Sequence, residues 1–240
     1  MYTRLLTLFF AVSFLSCDPA ALDAALGTLT QGGGLSQETI GKGLKQALDI
    51  GIKQGAATLS AQNGFVNSPY KILLPPEARK VTDKLQGVPG FSNLEAKIIE
   101  KVNEGASDAA KKAYPIFRDA ITQMTFTDAL NILKGDKNAA TQYLQRTTFD
   151  GLYNEFSPVI DNSLDKFDAQ KIWQDAATAY NNFPLTRTPV NTDLGDYVTQ
   201  QALTGLFRKV ALKELDIREN IGARTTELLR RVFALQDGQQ

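Results

Sequence analysis

The sequence predicts an all-α protein: a single irregular helical bundle over residues 35–240, interrupted by an extended, Pro-flanked strap at about 65–76. Three observations carry this expectation. Apolar residues recur at intervals of three and four through most of the chain after residue 35. Residues that cap helices stand ahead of several of those stretches. No stretch alternates apolar and polar residues long enough to demand a strand.

Taken in order, Ser36 is placed to cap a first helix whose apolar face is Ile40, Leu44, Leu48, Ile52 and Leu59, with Leu35 and Ile40 spaced as a hydrophobic staple. Asn63-Gly64 ends it. From Phe65 to Pro76 the chain carries Pro69, Pro75 and Pro76, which exclude a regular helix, so it is expected to run extended with Ile72, Leu73 and Leu74 packed on the helices. Helical periodicity returns at 77–86, 93–113, 116–124, 127–134 and 138–156, with Pro115 and Pro158 as breaks or kinks and Gly135-Asp136 as a turn. A helix at 168–180 carries Trp173, and residues 181–191, with Pro184 and Pro189, read as a loop. The last third has the clearest signal. Asp193 is placed to cap a helix with Leu194, Tyr197, Val198, Leu203, Leu206, Phe207, Val210 and Leu215 on its apolar face, which puts Leu206 and Phe207 against the final helix. Asn220 is placed to cap that final helix, with Leu228, Leu229, Val232 and Phe233 inward. No fixed-period repeat is present.

Composition narrows the chemistry. Lys plus Arg equals Asp plus Glu at 26 each, so nothing in the overall charge suggests a nucleic-acid partner. Histidine is absent altogether, and with it the commonest general base and metal ligand. Cys17 is the only cysteine, which excludes intramolecular disulfides, Cys-based zinc sites and C-x-x-C redox pairs. Catalysis would have to run on carboxylates, Lys, Tyr, Ser or Thr. No cofactor and no metal site is expected.

The N-terminus reads as an address. After Arg4, Leu5 to Leu15 form an eleven-residue apolar run, the length of a signal-peptide core and too short to span a bilayer. Phe14-Leu15-Ser16-Cys17 follows, resembling a bacterial lipobox, with Phe14 where Leu is commoner. A thiol is needed there because sulfur carries the diacylglycerol. Residues 1–16 are thus expected to be a signal peptide and Cys17 the lipidated residue. Residues 17–34, with Gly32-Gly33-Gly34, would be a tether. The alternative is a buried N-terminal helix with an incidental cysteine.

Gly41-Lys42-Gly43 fails as a phosphate loop, because Ser36 and Gly43 stand where glycine and Ser/Thr are required. Asp161-Asn162-Ser163-Leu164-Asp165 fails as a calcium loop, because Lys166 and Ile172 occupy the glycine and closing glutamate positions, and Asp161, Asp165 and Asp168 read as a solvated helix face and N-cap. Five segments carry a resemblance instead: 64–69 (GFVNSP), 119–125 (DAITQMT), 140–148 (ATQYLQRTT), 196–199 with 202–207 (DYVT and ALTGLF) and 223–229 (ARTTELL). In this order they are similar to the bacterial domain-of-unknown-function family DUF4197, over about residues 35–234. Members commonly carry Asn-Pro where this chain has Asn220-Ile221, a departure that touches helix initiation. The resemblance implies an exported, lipoprotein-like chain with one helical domain, and implies no activity.

One constellation suggests a site. Gln142 and Arg146 lie four apart on one helix face, Asp196 and Tyr197 open a second helix, and Arg224, Thr225 and Thr226 stand at the last. Two guanidinium forks, hydroxyls and an amide suit a small anionic ligand or a partner. Equally, Arg146 or Arg224 could pair with Asp196 and brace helices. The expectation is a non-catalytic binding or scaffolding lipoprotein of the bacterial cell envelope. It would be held to a membrane by its lipid, periplasmic or surface-exposed, with an envelope protein or anionic ligand as partner. The alternatives are a carboxylate-using, hydrolase-like envelope enzyme and a carrier of a small apolar or lipid ligand between helices.

Overall fold

The computed structural model describes residues 35–75, 93–166, 168–182, 189 and 191–237. Residues 1–34, with Cys17, and the helix expected at 77–86 lie outside the described residues. The chain divides into two units, Met1–Gln37 and Glu38–Gln240, and the architecture below is that of the second. It is all-α: α1 (Gln37–Ser60), α2 (Leu94–Ala110), α3 (Ala113–Gln123), α4 (Phe126–Lys134), α5 (Ala139–Asp165), α6 (Ala169–Asn181), α7 (Leu194–Glu219), a 3-10 turn (Ile221–Ala223) and α8 (Glu227–Phe233), with no strand among the described residues.

Two long helices form the centre. On α5 the buried residues Ala140, Leu144, Thr148, Leu152, Phe156, Ile160 and Leu164 repeat every fourth position. At 100° per residue that stripe turns by about 40° at each step, so it winds around the helix and serves several neighbours. Accordingly α5 packs on α2, α3, α4, α6 and α7. Helix α7 is buried over much of its circumference, from Leu194 through Val198, Leu203 and Leu206 to Val210 and Ile217. Leu206 is fully buried, as expected. Phe207 is also buried, and its ring meets Phe117 of α3 edge-on at 5.7 Å.

Helix α1 lies close to the C-terminal elements because of its glycines. A Cβ on Gly43 would come within 2.5 Å of Val232 on α8, and one on Gly51 would reach Ile217 on α7. The Gly41-Lys42-Gly43 run is thus a packing feature. Tyr114 Oη donates to Asp49 Oδ1 (2.9 Å), and Thr226 Oγ1 donates to Gln46 Oε1 (3.0 Å), fixing α1 to α3 and α8. At the end of α1, Asn63 adopts φ 59°. A Cβ on the next residue, Gly64, would lie 2.3 Å from the Leu59 carbonyl oxygen, so the turn requires glycine there.

Several boundaries differ from the sequence reading. Residues 65–70 form successive turns rather than running extended, because Ser68 N donates to the Phe65 carbonyl and Lys71 N to that of Ser68. Only 71–75 lack regular structure. There Asn103 acts as a strand edge: its Oδ1 accepts from Ile72 N and its Nδ2 donates to Ile72 O, both at 2.8 Å. Pro115 falls in the first turn of α3, where its missing N–H costs nothing, and the chain breaks ahead of it at Lys111-Lys112. Pro158, by contrast, lies inside α5. An interior proline costs a helix ~3 kcal/mol. Burial of Phe156, Ile160 and Leu164 on either side, roughly 1.5–3 kcal/mol each, outweighs it. Asn220 caps the 3-10 turn, accepting from Gly222 N, and Thr226 caps the last helix, accepting from Leu229 N.

Candidate functional site

The seven polar residues singled out from the sequence do not converge. Gln142 is exposed and donates to Asn138 Oδ1 at 2.9 Å. Arg146 is exposed, its guanidinium 5.6 Å from the Tyr143 ring centroid. Asp196 stands at the N-terminal turn of α7, and Tyr197 Oη donates to the Leu73 carbonyl at 3.0 Å. Arg224 is 1 % exposed. Its Nε donates to Ile217 O (3.0 Å), which places its head beside the far end of α7. Asp196 and Ile217 are 21 residues apart on that helix, or about 31 Å at 1.5 Å per residue. No pairing of Arg224 with Asp196 exists, and one anion could not touch both. Thr225 is exposed, and Thr226 serves as the cap of α8.

Arg224 does brace the fold, through a different acid. Its two terminal nitrogens donate to the two oxygens of Asp237 at 2.7 Å each, and one also reaches Arg218 O at 2.9 Å. This fork holds the Asp237 carboxyl below its ordinary pKa. Next to it lies a pair the sequence reading did not single out. Glu214, buried on α7, accepts from Ala140 N (2.9 Å), Thr141 N (2.8 Å) and Thr141 Oγ1 (2.8 Å). It also accepts from Arg218 Nε (3.0 Å) and a terminal nitrogen of Arg218 (2.9 Å). Arg218 in turn donates to the Ile132 carbonyl (2.7 Å) at the end of α4.

Around Asp196 a second polar cluster forms where α5, α6 and α7 meet. Tyr153 Oη donates to Asp196 Oδ1 (2.6 Å), Gln200 donates to both carboxylate oxygens (3.0 Å), and Asn191 donates to Oδ2 (2.9 Å). The Tyr153 hydroxyl, then the Gln200 amide, lower the Asp196 pKa, while the same bond pushes Tyr153 up to about 12. Asp161 shifts the other way: burial raises its pKa, helped by Asp193 and Asp165 and opposed by a hydrogen bond from Ser157. Its carboxylate lies against Gly195, where a Cβ would come within 1.9 Å of Oδ1.

Asp161 is therefore expected to oppose folding at neutral pH. A raised folded pKa contributes stability below the unfolded value, and this is lost as pH rises through the folded one. Asp161→Asn should raise the melting temperature by about 2 °C at pH 7, with the gain vanishing below the ordinary Asp pKa of about 3.9. Thermal melts across pH check both the sign and the window.

An open concavity lies elsewhere, along α7. It is a groove of about 600 Å³. Ala211, Leu212 and Leu215 form its floor, Tyr70 and Arg208 one end, and Lys137 and Asn138 the other. Leu212 is 56 % exposed, and Tyr70 is held against α7 by its close approach to Gly205. Lys137 Nζ is paired with Glu219. Among the described residues no group of three His, Cys, Asp or Glu side chains could hold a metal.

Among the described residues, fold and site together define an all-helical bundle whose buried charges join helix ends, with a largely apolar groove along α7. The chain belongs to the family described as Protein of unknown function (DUF4197), which matches it over residues 34–234. No curated protein and no solved structure matches it.

Proposed function

We propose that this chain is a lipoprotein of the bacterial cell envelope, anchored through Cys17, whose helical domain binds a ligand or partner rather than catalysing a reaction. The observation that carries the binding reading is the groove on α7. It presents apolar side chains and cations in an open concavity within the size range of ligand sites. The anchor reading rests on the apolar run and Ser16-Cys17. It is compatible with the absence, among the described residues, of a helix long and apolar enough to cross a membrane. Cys17→Ser, expressed in a native host, should move the protein from the detergent phase to the aqueous phase. Equal partitioning of wild type and variant would remove the anchor.

A second reading, a carboxylate-using hydrolase, draws on one observation: Asp161 and Asp196 are pushed in opposite directions, as an acid and a base would be. The two readings separate on Asp161→Asn. The enzyme requires turnover of an envelope-type ester, amide or glycoside that this substitution abolishes in a folded protein. The binding module shows no turnover to abolish, and the substitution stabilises it.

A further inference from the structure

We propose that the groove on α7 takes a single anionic amphiphile, its alkyl body along Ala211, Leu212 and Leu215 and its head against Arg208. This rests on the binding reading and gives it a site and a ligand class. The geometry begins with spacing. Arg208 and Leu212 are four apart, as are Ala211 and Leu215, so all four lie on one strip of α7 about 10 Å long. Segment 65–75 covers the preceding part of the helix, with Tyr197 Oη bonded to Leu73 O and Tyr70 against Gly205. Beyond Tyr70 the strip is open, which leaves Leu212 among the most exposed large apolar residues described.

Charge gives the groove a direction. At one end Lys137 is neutralised by Glu219, whose carboxylate also repels a second anion. At the other, Arg208 is exposed and has no acidic partner among the described residues. Arg208 also stands near the Tyr70 hydroxyl, where it opposes the upward push of burial on that group. An anion is therefore drawn to the Arg208 end, and an apolar chain of matching length covers the floor. The concave shape favours one molecule over a bilayer surface. A flat membrane would reach Leu212 and leave Ala211 and Leu215 uncovered.

Calorimetric titration of the full chain tests this, with dodecanoate kept below its micellar range. Saturable one-to-one binding is expected. Acetate should not bind, and dodecyltrimethylammonium should bind at least about tenfold more weakly. Arg208→Gln should weaken dodecanoate binding by about fivefold, and Leu212→Asp should abolish it. Both are surface positions, and unchanged thermal melts check that the variants fold. Equal affinity for the cationic amphiphile, or indifference to Arg208→Gln, would overturn the assignment. So would binding to vesicles of anionic lipid without binding to monomeric dodecanoate, or a dimer of this chain that Leu212→Asp dissociates. If dodecanoate fails to bind, this ligand assignment falls, whereas the binding reading itself is overturned by turnover that Asp161→Asn abolishes in a folded protein.

Discussion

Leu206→Asp is expected to lower the unfolding free energy by about 3–5 kcal/mol, because it places an unpaired carboxylate at a fully buried position and removes a packed leucine. In a domain of this size each kcal/mol is worth roughly 2–4 °C, so the melting temperature should fall by about 6–20 °C. Leu212→Asp, six residues along the same helix and 56 % exposed, should move it by less than about 2 °C. The contrast tests the rotational setting of α7 and not only its existence. A wild-type melt for Leu206→Asp would place that side chain at the surface and refute the helix register.

The setting of α7 was readable because its apolar residues recur at helical spacing and because Asp193, an N-cap residue type, precedes them. In the structure Asp193 Oδ1 accepts from Asp196 N at 2.9 Å. What α7 packs against was less readable. Leu206 and Phe207 are buried, and the Phe207 ring meets Phe117 of α3, a neighbour that periodicity alone cannot name. Proline positions were legible as breaks only where tertiary packing did not overrule them. Pro115 begins a helix as its missing N–H allows, whereas Pro158 is carried inside α5 by the buried residues on either side. Asn220 does cap a helix, but it is the 3-10 turn Ile221–Ala223, and the last helix takes Thr226 as its cap.

The polar residues show the same division more sharply. Arg224 stood out as a charged side chain near the last helix, and the structure buries it. Its acid, Asp237, follows that helix with no pattern to mark it. Glu214 and Arg218 did leave a signal: a charged pair four apart, continuing the buried stripe of Val210 and Ile217. A charge on an apolar face demands a buried partner. That rule would have singled out this pair before Gln142 or Arg146, which lie on exposed faces. The groove left no trace in the sequence, because Tyr70, Lys137 and Leu212 come from three distant segments.

Glu214→Ala should cost about 3–5 kcal/mol, and the reason lies in what Glu214 does for two other helices. The first N–H groups of any helix lack intrahelical acceptors, and the N-cap residue of α5, Asn138, does not supply one with its side chain. Glu214 supplies it from α7, accepting from Ala140 N and Thr141 N, with its negative charge at the positive end of α5. Arg218 does the converse, donating to carbonyls of Ile132 and Leu133 at the negative end of α4. The ion pair therefore clamps the end of α4 and the start of α5 to α7. Alanine at 214 leaves Arg218, with its side chain 7 % exposed, without its counter-charge, and orphans two backbone donors. Replacing both residues, Glu214→Met with Arg218→Met, removes the stranded charge. The double variant should thus be less destabilised than the sum of the single ones by about 2 kcal/mol. Because the pair is buried, the single-variant losses should change little between low and high salt. Denaturant unfolding of the wild type, Glu214→Met, Arg218→Met and the double variant measures the coupling. Additive losses would show that the two charges act independently and that the clamp is not a unit.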